Sequence, residues 1–332
     1  MSFWKKTFGF FISGVFLWFA LRKVEWTKVP EVFSSINLWF IFPLLISLTL
    51  EHLIRSYRWK MILEGRNISF YNLYAGLMLG NFFNNVFPAR AGEVIRAVFL
   101  GRKKIVRTSE ALGSIFFERF LDGIAVVTYI GIAISIFPVT PMVRKAGYTA
   151  MFFYFLVMVF IVIAQFGKKW VDKITYLLMK PFPDSWRTKI ISIQDSFING
   201  FSMIRNPALF LSVVFVSYVA WFFSGLSMFL YLKIFSLSLG FTGPILLMAV
   251  LSIGAMLPSS PGMIGIFEYC CQLVLAEMLG FSQELAASFG IFTHFISYIY
   301  ILVIALFILT IENLSISELE KNKEDAEYVS AA

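Results

Sequence analysis

Six long apolar runs, roughly 4–21, 38–54, 110–137, 148–166, 207–234 and 284–311, most constrain this chain. Each is close to or longer than the about 20 residues a helix needs to cross a hydrocarbon layer. Backbone groups in lipid must be satisfied within the segment, so the runs are read as helices. Only 14% of the residues are charged and 59% are hydrophobic, against about 25% charged in a soluble domain. The expectation is an integral membrane protein, all-α and polytopic. Its 39 Phe, 13 Tyr and 8 Trp suit lipid-facing helices with rings at the headgroup level.

The formal charge of +8 would suggest nucleic acid for a soluble chain. Here Lys and Arg between apolar runs set topology and touch anionic lipid, so no nucleic-acid partner is expected. Cys270 and Cys271 are adjacent in an apolar run and offer neither a disulfide framework nor ligand spacing. With two histidines besides, no metal and no cofactor are expected. Lys5-Lys6 followed by Phe8 to Leu21 mimics a signal peptide. No small-residue cleavage site precedes Arg22-Lys23, so an uncleaved first helix is expected.

Two further apolar segments, 71–100 and 241–279, are broken by Pro-x-x-x-Gly, at Pro88 to Gly92 and at Pro258 to Gly262. Each is a pair of short spans or a re-entrant hairpin, giving about six full spans plus two hairpins, or eight or more spans. Both options leave the membrane on the side they entered. Basic residues concentrate in 55–66 (Arg55, Arg58, Lys60, Arg66), in 101–107 and in 167–206, while 235–240 and 280–283 carry none. Placing the basic loops inside puts both termini in the cytoplasm, against a weaker outer signal from Arg22, Lys23, Lys28, Arg144 and Lys145. With that orientation, units 38–137 and 207–311 run in opposite senses. That is an inverted span–hairpin–span repeat, the plan of many secondary transporters. Trp186, Ile190, Ile193, Phe197 and Phe201 predict an interfacial linker helix within about 170–205. Residues 1–314 form one membrane domain, and 315–332 form a charged cytoplasmic tail expected to be disordered.

Ionisable groups inside a bilayer point to function. A half-helix starting near Gly92 presents free N–H groups that favour an anion, and Arg90 and Arg96 add donors suited to phosphate. Glu93 either belongs to that site or pairs with Arg96. In the second segment Ser260 is a good N-cap and Pro261 a good first helical residue, predicting a half-helix from there. Gly262 and Gly265 permit close approach, and Glu268 falls two turns along. Glu268 either accepts a cation or proton or pairs with Arg90 or Arg96 across the repeat. Glu118, Arg119 and Asp122 put three ionisable groups in five residues of one span. They face either a polar path or one another. Glu51 and His52 sit at a span end, as snorkelling or capping groups. His294 lies well inside the last span and is expected as a satisfied core histidine rather than a proton switch. No nucleophile–base motif is visible, so no catalytic residue is assigned.

At Pro88-Ala-Arg-Ala-Gly-Glu-Val-Ile-Arg96, Glu118-Arg119-Phe-Leu-Asp122 and Pro258 to Glu268 the sequence resembles the flippase-like transmembrane domain of lysylphosphatidylglycerol synthases. The resemblance covers about 4–311. It implies an inner-membrane protein that handles or translocates a lipid, here a stand-alone member without the cytoplasmic aminoacyltransferase. It implies roles for Pro88, Arg90, Gly92, Glu93, Arg96, Glu118, Arg119, Asp122, Pro258, Pro261, Gly262, Gly265 and Glu268. One departure stands out: the resemblance implies an Arg in the final span, where this chain has Thr293-His294. That leaves headgroup charge open.

The expectation is a non-enzymatic lipid transporter of the cytoplasmic membrane acting on a phosphate-bearing phospholipid or polyprenyl phosphate. Arg90, Gly92, Arg96, Ser260, Gly262 and Gly265 hold the headgroup. Glu93, Glu118, Arg119, Asp122, Glu268 and His294 balance charge or line the path, and Pro88, Pro258 and Pro261 make the breaks. The alternatives are a lipid headgroup transferase and a scaffold for a partner lipid-modifying enzyme.

Overall fold

A computed structural model describes residues 3–63, 67–87, 91–181, 183, 186–187, 190–191, 206–257 and 260–314. Every regular element among them is helical. The order is α1 (Phe3–Leu21), α2 (Val29–Ser34), a 3-10 turn (Leu38–Phe40), α3 (Ile41–Ile62), α4 (Phe70–Val86), α5 (Ala91–Arg102), α6 (Thr108–Ile136), α7 (Pro141–Phe166) and α8 (Lys168–Leu178). Then follow α9 (Pro207–Ile234), α10 (Thr242–Gly254), a 3-10 turn (Pro261–Met263), α11 (Ile266–Gln272), a π-helical turn (Leu273–Met278) and α12 (Gln283–Ile311).

Helix starts follow local chemistry. Ser69, Thr140, Asn206 and Ser282 each accept a hydrogen bond from the backbone N–H three residues on. Pro follows the cap directly in α7 and α9, where its missing donor is no loss. Among the described residues five helices are long and apolar enough to cross a membrane: Leu38–Ile62, Thr108–Ile136, Pro141–Ile161, Pro207–Ile234 and Gln283–Ile311. The expected first span is helical, but its described apolar part, Phe11–Leu21, is shorter than these.

Two boundaries differ from expectation, and both move charge. The run 38–54 continues as helix to Ile62, so Arg55, Arg58 and Lys60 lie on α3 and not in a basic loop. The run 148–166 begins at Pro141, which brings Arg144 and Lys145 onto α7. In each case helical backbone carries on past the hydropathic edge because the charged side chains have partners or an exposed face. Pro88, Arg90 and Pro258 lie outside the described residues, as do 315–332 and 192–205 of the linker prediction. Within that linker, α8 exposes Trp170, Ile174, Leu177 and Leu178.

The opening helices α3 and α9 pack along each other. The α4 helix packs on α3, α5 and α12; α10 packs on α9, α11 and α6. The core has two main parts. One gathers α9 to α12 around Tyr231, Leu247, Val274 and Phe289; the other gathers α4 and α5 with Trp59 and Ile308. The α7 helix shows Phe152, Phe153, Phe155 and Phe160 outward, a face suited to lipid. Connections meet in matched pairs. Lys103 Nζ lies 2.7 Å from Glu312; elsewhere Lys23 Nζ lies 2.9 Å from Glu277, and Asn37 N–H donates to the Ile234 carbonyl at 2.7 Å.

Candidate functional site: a buried charge cluster beside two broken helices

Arg58 is the centre of the cluster and is fully buried. Its Nη1 donates to Asp122 at 2.7 Å and to Ser217 Oγ at 3.1 Å, while Nη2 donates to Glu118 at 2.9 Å. Asp122 also accepts from Trp221 Nε1 at 3.1 Å, from Arg119 Nη1 at 3.0 Å and, more weakly, from Arg55 Nη1 at 3.4 Å. Arg55 Nε reaches Glu51 at 3.0 Å, and Ser224 Oγ donates to the same carboxylate at 2.6 Å. Arg119 Nε lies 3.0 Å from Glu93. One face of α3, one of α6, the start of α5 and one side of α9 are tied together this way. Arg55, Arg58, Arg96 and Arg119 are matched in charge by Glu51, Glu93, Glu118 and Asp122. Unpaired charge in an apolar interior costs several kcal/mol, which the mutual pairing offsets.

Arg96 is the least satisfied member: among the described residues Nε, Nη1 and Nη2 all lack a hydrogen-bond partner, whereas Arg58 and Arg119 lack one only at Nε. It is 2% exposed, with its guanidinium 3.5 Å above the Trp59 ring, a cation–π contact. Trp59 is itself pinned by its Nε1–H donating to Ser114 Oγ at 2.8 Å. Arg96 Nη2 is 2.8 Å from Glu118 Oε2, but out of line for a hydrogen bond, and Nε and Nη1 find no hydrogen-bond partner. The bend before α5 is held by side chain and close packing. The Gly92 N–H donates to Asn84 Oδ1 at 2.9 Å, and a Cβ at Gly92 would collide with the Gly80 carbonyl. Gly80 in turn makes room for the Arg96 side chain.

The second break is built differently from expectation. Ser260 gives no side-chain cap, and Pro261–Met263 form a single 3-10 turn with Gly262 at φ 65° and Met263 at φ 64°. Regular helix starts only at Ile266, after Gly265 at φ 89°. Three left-handed residues in a row of five end any helix begun at Pro261. Glu268 is therefore the third residue of α11, not a residue two turns along. Its Oε2 accepts from the Gly265 N–H at 2.6 Å, the carboxylate half of an N-terminal cap. Its Oε1 lies 2.5 Å from His294 Nδ1, and His294 Nε2 lies 2.9 Å from the Gly262 carbonyl. Phe267 stacks on the imidazole at 4.5 Å. The α1 helix closes the outside, with Ser13 Oγ accepting from the Ser260 N–H at 2.8 Å.

Of the two expected partners of Glu268, Arg90 lies outside the described residues and Arg96 does not pair with it, because Arg96 lies against Glu118 and Glu268 against His294. Nor do Glu93 and Arg96 pair, since Glu93 turns to Arg119. Of the predicted residues, Gly92, Glu93, Arg96, Glu118, Arg119 and Asp122 come together. Ser260, Gly262, Gly265, Pro261, Glu268 and His294 form a second group. Arg55 and Arg58 were read in the sequence only as topology-setting charges, and Trp59, Ser217, Trp221 and Ser224 were not singled out. The usable signal was Glu51, Arg55 and Arg58 at helical spacing, followed by apolar Met61 and Ile62. Among the described residues no His, Cys, Asp and Glu side chains converge as metal ligands.

Buried ion pairs among spanning helices beside broken ones define a polytopic membrane protein with a polar interior. The family model described as "Lysylphosphatidylglycerol synthase TM region" matches residues 7–305, and the chain belongs to this family. It is 26% identical to the UPF0104 membrane protein MJ1595 of Methanocaldococcus jannaschii over 63% of this chain and 68% of that protein. It is 24% identical to the UPF0104 membrane protein PH1989 of Pyrococcus horikoshii, over 86% and 89% respectively. No solved structure matches the chain.

Proposed function

We propose that this protein binds and translocates a phosphate-bearing lipid, holding the headgroup at the Arg96 end of the cluster and leaving the chains in the bilayer. The observation that carries this reading is Arg96: a buried guanidinium with Nε and Nη1 unmet by any hydrogen-bond partner among the described residues. Ionised donors left unsatisfied in an apolar interior are costly, and phosphate oxygens are the ligand that a planar guanidinium fork fits best. Arg96 lies in the second turn of α5, behind a helix start whose dipole favours an anion.

The architecture behind the reading is an inverted repeat of span, re-entrant hairpin and span, with α3 to α6 equivalent to α9 to α12. Its support is a matched packing pattern. The α4 helix rests on α12 as α10 rests on α6, and α3 pairs with its own counterpart α9. Sequence register agrees. The α6 and α12 helices are each 29 residues long, with Arg119 and His294 both twelfth. Glu93 and Glu268 are each third in the helix after the break. Both pairs, Glu93–Arg119 and Glu268–His294, join residues 26 apart. Loops that contact each other (103 with 312, 23 with 277) are ones this topology puts on the same side. The basic residues remaining in 101–107 and 167–206 favour a cytoplasmic-membrane protein with both termini inside.

Native mass spectrometry of the purified protein tests the site. A retained phosphate-bearing lipid is expected in the wild type and at least tenfold less of it in Arg96→Lys, which keeps the charge and loses the fork. Equal retention by the two proteins contradicts the assignment.

A further inference from the structure

We propose that Glu268 and His294 bind a single proton between them, and that holding or releasing it decides whether the second break stays closed. His294 Nε2 faces the Gly262 carbonyl at 2.9 Å. A carbonyl only accepts, so Nε2 carries a hydrogen. Nδ1 lies 2.5 Å from Glu268 Oε1, while Oε2 already accepts from the Gly265 N–H. With Nδ1 bare and Glu268 ionised, two lone pairs would face each other at that distance, away from water. One proton on the Nδ1–Oε1 line removes the conflict, as imidazolium with carboxylate or as imidazole with carboxylic acid. The closed pair is thus the proton-loaded form, and release requires the two atoms to part.

What parts is the break itself. Gly262 binds one side of the imidazole, Glu268 binds the other, and the left-handed Gly262, Met263 and Gly265 lie between them. Losing the proton removes one of the two bonds by which His294 holds this turn, leaving the Gly262 bond and the long Tyr298 contact to Pro261. The first half of the molecule offers the contrast. Glu93 and Arg119 occupy the equivalent register, and an arginine does not give up its proton. Of these two pairs, only Glu268–His294 can release its proton.

Among the described residues no neighbouring charge competes for the pair. The α4 helix, packed on α12, has no Asp, Glu, Lys, Arg or His, and neither has the Phe11–Leu21 part of α1. The only charged residue of α9 is Lys233, near its C-terminal end, and Tyr231 there is engaged with Ser297. Glu31 of α2 is exposed, Glu277 of the π turn is paired with Lys23, and Cys270 and Cys271 of α11 are buried thiols. Tyr298 on α12 points its hydroxyl at the Pro261 carbonyl at 3.5 Å.

Coupling of this proton to lipid movement rests on the transport reading above; the proton site does not, and the two are tested separately. The full chain labelled with 15N-histidine has two imidazoles, and His52→Gln assigns them. For His294 we expect both ring nitrogens to carry or share a proton, with the Nδ1 signature lost in Glu268→Gln. A bare Nδ1 in the wild type, or a ring spectrum unchanged by Glu268→Gln, overturns the proton site. For coupling, the wild type is placed in phosphatidylcholine vesicles containing headgroup-labelled phosphatidylglycerol. A gradient of one pH unit is expected to sustain about tenfold asymmetry of the label if one proton accompanies one lipid. His294→Arg is expected to abolish that response. Label that moves but distributes evenly at every gradient overturns the coupling. If no label moves, the transport reading and the coupling fall together, and the histidine spectrum alone decides the proton site.

Discussion

Arg58 holds two carboxylates and a serine with one guanidinium, from a position whose side chain reaches no solvent. Removing it leaves Glu118 and Asp122 with fewer cations than the interior requires. Arg58→Ala is therefore expected to cost about 3–5 kcal/mol, read as earlier unfolding in a denaturant titration of the detergent-solubilised protein. Asp122→Asn in that background should recover part of the loss, because Arg55, Arg96 and Arg119 then face Glu51, Glu118 and Glu93 one to one. Arg58 was legible only as a basic residue beyond a span, since hydropathy falls at Glu51 and a helix in lipid is read as ending there. Glu118, Arg119 and Asp122 were legible because five residues placed three charges inside an unmistakable span. Their partners were not, since pairing across 60 or more residues leaves no local trace.

At the scale of the element, the two breaks were visible as proline and glycine, but their shapes were not. Ser260-Pro261 is a sound helix-start signal, and it loses here to three left-handed residues that follow within one turn. Their conformation is held from outside by His294 and Ser13, which no reading of 258–268 contains. Gly265 combines φ 89° with close approach of the α1 backbone at Ser13. Gly265→Ala is expected to destabilise the protein by about 1–3 kcal/mol and to raise protease cleavage within 255–266, measured by limited proteolysis. Gly92→Ala is expected to be more damaging, because its Cβ would come within 1.8 Å of the Gly80 backbone carbonyl, against 2.2 Å from that of Ser13 at Gly265. Its check is the yield of folded protein by size-exclusion chromatography.

For the whole molecule, the membrane class followed from the length of the apolar runs, because span length is set by bilayer thickness. The packing of α4 on α12 and of α10 on α6, on which the proposed repeat rests, arises only in three dimensions. It makes a topological prediction. In intact cells, a membrane-impermeant thiol reagent should label Cys placed at Lys23 or Glu277 and should not reach Cys placed at Lys103 or Glu312. The native Cys270 and Cys271 are buried and should stay silent. Labelling at one member of a contacting pair and not the other would break the proposed topology. The central claim is that the half-satisfied Arg96 marks the place where a lipid phosphate is carried through the protein. Its most direct measurement is headgroup accessibility in proteoliposomes carrying a labelled phosphate-bearing lipid. Faster equilibration across the bilayer is predicted with wild type, reduced at least tenfold in Arg96→Lys of equal fold and copy number. Equal rates in wild type, Arg96→Lys and protein-free vesicles would contradict it.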